Sequence, residues 1–427
     1  MRWLVLILVI GLTTPAAAGV DGKWVVAIDS FGVPSYWIMK LVQTGDQLSG
    51  DFAGDKLTGT VKGDAVEISG KDETGGFEVL KGTLKGGVIS GSVEIQFTGQ
   101  KQPMTQPFTA TLVRPRATKP VRHTFVPTAF YRQFSATTKP VLTIGAGDTI
   151  VTSTVDAGGV DAKGVQRSQG GNPQTGPFYV EGAMPGDTLV VKVVRLKLNR
   201  DYAISDDGLV PRAVDGDLAV KMKDGGKQVR WKLDRVKGVA TSEKHEHLGG
   251  YQVPVRPMLG CVGVPPNPAA AAPGTQDSGS WGGNMDFNGV TEGATVYLPV
   301  RNPGALLYFG DGHAAQGDGE LNGDALETSL DVEVTVDVIS GKSVPSPRVQ
   351  TATASIAMGL GGSIDDAFKA ATANMAAWLD ERFTLTPSEI AQVLGTSAQY
   401  RVSEVADRNA GVVLTIDKDR LRGLVAK

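Results

Sequence analysis

A single cysteine in 427 residues excludes an intrachain disulfide and any zinc site built from thiolates. Histidine is nearly as scarce, with four residues, so imidazole chemistry is confined to a few positions. Neither sign of charge dominates: 42 Lys+Arg against 45 Asp+Glu leave a net charge of -3. That is no field for holding a polyanion, and nucleic acid is excluded as a partner class. No G-x-S-x-G elbow and no serine amidase motif occurs, which leaves a covalent mechanism without support. Past the N-terminal stretch, no apolar run approaches the roughly 20 residues that a spanning helix needs, so no membrane span is expected after signal cleavage.

What the chain does have is glycine, 55 residues scattered without a collagen period. Such a distribution predicts many tight turns between short strands. The length predicts two or three domains. At the N-terminus, Arg2 precedes the apolar run Trp3 to Leu12, and Ala16-Ala17-Ala18 before Gly19 has the form of a signal-peptidase site. Residues 1–18 are therefore read as a signal peptide, and the mature protein as periplasmic or secreted.

Residues 19–113 read as an accessory all-β domain. Strand-like windows recur every 8 to 12 residues between glycines, among them Leu57 to Lys62, Ala65 to Ser69 and Phe77 to Leu84, and apolar residues alternate with polar ones. The pattern predicts an antiparallel meander, as a barrel or a sandwich. Arg114 to Pro120, with two prolines among basic residues, reads as a linker. From 121 to 427 strand signals continue, including a buried strand at Leu189 to Val194 and a strand with one wet face at Asp331 to Val338. Helix signals come only from about residue 363. Ser363 and Asp366 open one helix, with Ile364, Phe368, Ala371, Met375, Trp378 and Leu379 on its apolar face. Thr386-Pro387-Ser388-Glu389 opens a second, which ends at Gly395. The fold class is β-rich with α/β C-terminal elements.

The densest polar cluster is Asp311-Gly312-His313-Ala314-Ala315-Gln316-Gly317-Asp318-Gly319-Glu320, in which small residues clear room around two Asp, a His, a Gln and a Glu. It suits either a divalent cation held by carboxylate and imidazole, or a carboxylate and His acting as general base. Gly283-Asn284-Met285-Asp286-Phe287-Asn288 offers two amides and a carboxylate, a weaker signal that a plain turn also explains. His245-Glu246-His247 puts two imidazoles on one side if extended, but its Lys- and Glu-rich context reads as a solvated turn. Cys261 lies among apolar residues and reads as a small buried hydrophobe.

Gly176-Pro177-Phe178-Tyr179-Val180-Glu181-Gly182-Ala183-Met184-Pro185-Gly186-Asp187, then Gly283 to Asp286, then Gly310 to Glu320 resemble, in that order, the signature segments of the acetamidase/formamidase family. The resemblance runs from about His123 to Arg420, with Gly147-Asp148-Thr149 before Asp156 and Leu385 to Ile390 adding to it. It implies hydrolysis of a small linear amide to ammonia and a carboxylate, with a bound divalent metal, zinc or calcium. The N-terminal β domain and the signal peptide depart from the family pattern. An amide carbonyl is a poor electrophile and its amine a poor leaving group, so the oxygen must be polarised, water deprotonated and nitrogen protonated. On this reading Asp156, Asp286, Asp311 and His313 are metal ligands, Glu320 is the proton shuttle beside His313, and Asn284, Gln316 and Glu181 bind substrate. A homo-oligomer is compatible with the sequence. The rival reading is a non-catalytic envelope binding protein on an amidase-like scaffold.

Overall fold

The computed structural model describes residues 19–113, 119–223, 225–243 and 246–427. The expected signal peptide, residues 114–118 of the expected linker, and His245 lie outside the described residues. The chain divides into two units, Met1–Val113 and Arg114–Lys427.

The first unit is a closed antiparallel barrel. Its strands are β1 (Gly22–Ser30), β2 (Val33–Thr44), β3 (Gln47–Phe52), β4 (Asp55–Lys62), β5 (Ala65–Lys71), β6 (Phe77–Lys85), β7 (Val88–Gln96) and β8 (Met104–Leu112). Each pairs with the next, and β1 pairs with β8 from Trp24↔Leu112 to Ile28↔Phe108, which closes the ring. The meander is thus a barrel and not a sandwich. Strict alternation explains why: Val66 and Ile68 of β5 are buried while Glu67 and Ser69 are exposed, and every strand contributes to one apolar interior centred on Trp24, Met39, Leu80 and Val93. Two-residue hairpins need positive φ, which glycine supplies at Gly45 (60°) and Gly63 (59°).

The second unit holds sheets of six, nine and four strands. In the six-stranded sheet, the strand Leu307–His313 lies between Thr175–Glu181 and Met258–Gly263. The nine-stranded sheet contains Thr188–Leu198 and Leu330–Ile339, paired antiparallel, and the two sheets share one apolar core. Leu189 to Val194 was expected to be buried on both faces, but only Leu189, Val191 and Val193 are fully buried and Lys192 is exposed. The expected wet-faced alternation of Asp331 to Val338 is present.

Helix Ile364–Arg382 is capped by Ser363, whose Oγ accepts from the Asp366 N–H at 3.1 Å. Its buried face is Ala367, Ala371, Asn374, Met375, Trp378 and Leu379, packed on the strands Ala354–Gly361 and Ala410–Asp417. Ile364 and Phe368, assigned to that face from spacing, are 47% and 44% exposed. Helix Pro387–Ser397 has the full capping box of Thr386 and Glu389 and runs two residues past Gly395. A short helix at Gly216–Lys221, capped by Asp215, precedes the region where helix signals were expected to begin. Among the described residues no helix is long and apolar enough to cross a membrane.

Candidate active site

The strand Leu307–His313 is buried along its whole length, and small Gly310 and Gly312 let it pass between its neighbours. Leu307 and Phe309 enter the apolar core, and the same face then carries Asp311 and His313. Polar side chains in such a setting need partners. His313 Nε2 has two, Glu320 Oε1 and Glu327 Oε1, each at 3.0 Å. Glu320 comes from the loop that follows the strand. Glu327 is joined to His313 by an isolated β-bridge, and its Oε2 accepts from the Ala157 N–H at 3.3 Å.

Gly260 of the neighbouring strand stands in register with Asp311, between the pairs Leu259↔Gly312 and Cys261↔Gly310. Its carbonyl accepts from the N–H groups of Met285 and Asp286, which brings the Asn284-Met285-Asp286 segment onto the same spot. A Cβ on Gly260 would collide with Asp286 Oδ1 and Asp311 Oδ2 and come within 2.9 Å of His313 Cε1. The hydrogen atom of this glycine therefore keeps clear a space surrounded by two carboxylates and an imidazole. Asp286 Oδ1, Asp311 Oδ1 and His313 Nδ1 are buried and have no hydrogen-bond partner. Ligand atoms of Asp286, Asp311 and His313 lie within 4.8 Å of one another, and so do those of His313, Glu320 and Glu327. Three of these residues sit at positive φ, Asp286 at 35°, Asp311 at 58° and Glu320 at 48°. Such backbone costs on the order of 1–3 kcal/mol per residue and concentrates at functional sites.

Amides surround the carboxylates. Asn284 Nδ2 donates to Asp286 Oδ2 at 2.6 Å and also to Asp407 Oδ2, while Asn284 Oδ1 accepts from Asn172 at 3.0 Å. Gln316 Nε2 donates to the Asp286 carbonyl at 2.6 Å, leaving Gln316 Oε1 without a partner. Glu404 is buried and receives the Asp407 N–H on Oε2 at 3.3 Å, with Oε1 unpartnered. So much buried negative charge around one imidazole shifts several of these groups. Burial pushes the Asp286 carboxyl up to about 7, against the pull of His313. Burial, with Asp286 and Asp407 beside it, pushes Glu404 up to about 9. Asp311 and Glu320 are held well above the usual carboxylate range, first by burial and then by their acidic neighbours. Burial opposes the charge of the His313 ring, but Glu327 and Glu320 outweigh it and hold its pKa well above the ordinary value. The site is short of positive charge.

Of the residues singled out in the sequence, Asp286, Asp311, His313, Glu320, Asn284 and Gln316 come together here. Asp156 does not join the ligand atoms: its Oδ2 is held by the buried Arg200 at 2.7 Å and its Oδ1 by the Val160 N–H at 2.8 Å. Arg200 in turn donates to the Glu327 carbonyl at 3.2 Å, so Asp156 supports the chain segment that carries Glu327. Glu181 also stands apart. Thr175, at the start of its strand, is opposite Phe309, whereas Glu181 is in register with Gly145, six residues or roughly 20 Å further along and away from His313. Glu327, Glu404 and Asp407 carry no sequence signal of their own, since they lie outside the Asp311 to Glu320 cluster, in segments with no histidine and no ligand-like spacing. Cys261 is fully buried, and burial, Asp311 and Asp286 push its thiol well above its ordinary pKa, which suits a small apolar residue and not a nucleophile. His247 is exposed. A cavity of about 760 Å³ is bounded by Tyr131, Arg132, Gly171 and Gln276, and its wall residue Gly171 is followed by Asn172, the partner of Asn284.

Residues 267–410 match the sequence profile of the Acetamidase/Formamidase family. A formamidase of Methylophilus methylotrophus is 26% identical over 191 residues, 34% of this chain and 46% of the relative, so the match spans about half of that protein's length. Among solved structures, a predicted acetamidase/formamidase of Thermoanaerobacter tengcongensis superposes with a TM-score of 0.60 at 26% identity, covering 71% of this chain and 98% of its own. An acetamidase of Yersinia enterocolitica superposes with a TM-score of 0.61 at 26% identity, covering 71% and 94%.

Proposed function

We propose, from the premise that this chain shares the sequence signature and fold of the acetamidase/formamidase family, that it hydrolyses the C–N bond of small linear amides to ammonia and a carboxylate. The observation that carries the reading is that Asp286 Oδ1, Asp311 Oδ1 and His313 Nδ1 are buried without hydrogen-bond partners, on the same three residues whose Oδ1, Oδ2 and Cε1 border the space that Gly260 leaves open. Two carboxylates and an imidazole form a donor set for a hard or borderline divalent cation, and the surplus of buried negative charge calls for one. Asp286, Asp311 and His313 through Nδ1 would hold it. Glu320 and Glu327, both on Nε2, would fix the ring and its tautomer, the arrangement commonly found behind metal-bound histidines. A divalent cation supplies Lewis acidity and lowers the pKa of bound water.

The remaining work falls to side chains of the chain itself. Gln316 Oε1, free of other bonds, accepts from the substrate N–H₂ and orients the amide. Asn284 anchors Asp286 through Oδ2 and leaves its Oδ1 directed at the open space. Glu320 takes a proton from the attacking water and returns one to the departing nitrogen, with His313 as its hydrogen-bonded neighbour. We also infer export, from the order of charged, apolar and small residues in positions 1–18.

Ammonia release from formamide, acetamide and propionamide tests the reading, using the full protein before and after chelation and after zinc or calcium is restored. Turnover that chelation removes and one of these ions restores supports it. No turnover of any amide with either ion overturns it.

A further inference from the structure

The barrel holds a cavity beside a buried carboxylate. Near one end of the barrel, β6 turns Glu78 inward, two residues before the core residue Leu80. Glu78 is 7% exposed, and its Oε1 is buried without a hydrogen-bond partner. Its position is made possible by Gly70 on the paired strand β5, where a Cβ would collide with Glu78 Oε1. Above it lies a cavity of about 340 Å³ whose wall includes Ile28, Trp37, Phe52, Ile95 and Met104. At the mouth, Phe31 is 83% exposed and Phe97 56%, and both rings line the cavity. Asp55 also lines the cavity, and none of its lining residues is basic.

We propose that this end of the barrel is a binding cup for a small amphiphile with an ammonium head and a short apolar chain, the head paired with Glu78 and the chain against Trp37, Phe52 and Ile95. The volume holds roughly a dozen non-hydrogen atoms, taking about 30 Å³ for each as for a water molecule. Charge decides the class. A carboxylate ligand would meet Glu78 and Asp55, and a neutral one would leave the carboxylate of Glu78 desolvated and unpaired, whereas an ammonium supplies the missing donor and the opposite charge. The empty cup holds Glu78 in its neutral form more readily than usual, since burial, then Asp55 and Asp72, push its pKa up to about 7. A cation in the cup reverses that preference.

Isothermal titration of the full protein with octylammonium, octanol and octanoate tests this. Octylammonium should bind about tenfold or more tighter than octanoate. Glu78→Gln should weaken octylammonium by about tenfold to a hundredfold, the worth of a hydrogen bond to a charged group, and leave octanol nearly unchanged. Thermal unfolding reports whether each variant is folded. Should Glu78→Gln fail to fold, Ser35→Trp, which fills the mouth from the rim, should abolish binding of octylammonium and octanol alike. Octanoate binding as tightly as octylammonium, no binding of octylammonium, or a folded Glu78→Gln or Ser35→Trp variant with unchanged octylammonium affinity overturns the proposal.

Discussion

Gly260 and Asp311 face each other across two paired strands, and a methyl group on Gly260 would overlap the carboxylates of both Asp311 and Asp286. A position with room only for hydrogen, bordered by residues that also carry unpartnered buried atoms, is where the proposed ligand would sit. Gly260→Ala should therefore cost about 1–3 kcal/mol of stability through overpacking. It should also lower amide turnover by about a hundredfold or more. Circular dichroism with thermal melts and the ammonia assay check the two effects separately. A folded, active Gly260→Ala variant would move the site elsewhere.

Asp311 and Glu320 should respond differently to substitution. If Asp311 holds the proposed cation, Asp311→Ala should make bound metal and activity fall together. Glu320→Gln keeps the shape and one hydrogen bond to His313 but removes the titratable proton. Metal should stay while turnover drops by about a hundredfold. Elemental analysis beside kcat distinguishes the cases. Loss of metal in Glu320→Gln would leave the hold on His313 Nε2 as the main role of Glu320 and count against proton transfer by it.

The acid side of the stability curve should depend on Asp148. Burial alone would raise its pKa, but the His123 ring and the N–H groups of Val121 and Gly145 outweigh burial and lower it. A depressed folded-state pKa stabilises fully above the unfolded value of about 3.9, and the contribution is lost as pH falls through the lower folded value. Asp148→Asn should thus be less stable than the parent near neutrality, with the difference shrinking below about pH 4. Urea midpoints measured from pH 7 down to pH 2.5 would show it, and a constant difference across that range would count against it.

The barrel and the second unit have separate apolar cores, one around Trp24 and Leu80 and one around Phe178, Leu298 and Val334. A fragment starting at Pro120 should fold and keep whatever amidase activity the full chain has. Calorimetry of the full chain should resolve a transition that the fragment lacks. An insoluble or inactive fragment would mean that the barrel completes the larger unit.

Sequence reading succeeded where one local period governs burial. The barrel strands alternate because a ring of strands has one dry face, and the helix starts at Ser363 and Thr386 are visible because capping uses side chains within three residues. The Asp311 to Glu320 cluster was legible for a related reason: its groups arrive on one strand and one loop. Glu327 was not, since its carboxylate meets His313 across a β-bridge while Arg200 holds its backbone carbonyl, contacts that no spacing encodes. Asp156, expected among the ligands, pairs instead with Arg200. An acid after a Gly-Asp-Thr segment can neutralise a buried arginine as readily as bind an ion, and here Arg200 lies at 2.7 Å. Ile364 and Phe368 show the limit of periodicity, because the strands beneath the helix admit Ala367 and Ala371 at close range and leave the larger side chains at the margin.

In the barrel, β1 bonds to both β2 and β8, and every other strand has a neighbour on each side. No run of backbone N–H and C=O groups is left open to a visiting strand, so donor-strand exchange, β-augmentation and edge-to-edge polymerisation have nothing to extend. Whatever this unit recognises must be recognised by side chains, on its outer wall or at its ends. Its specificity can then change one residue at a time while the backbone ladder stays intact.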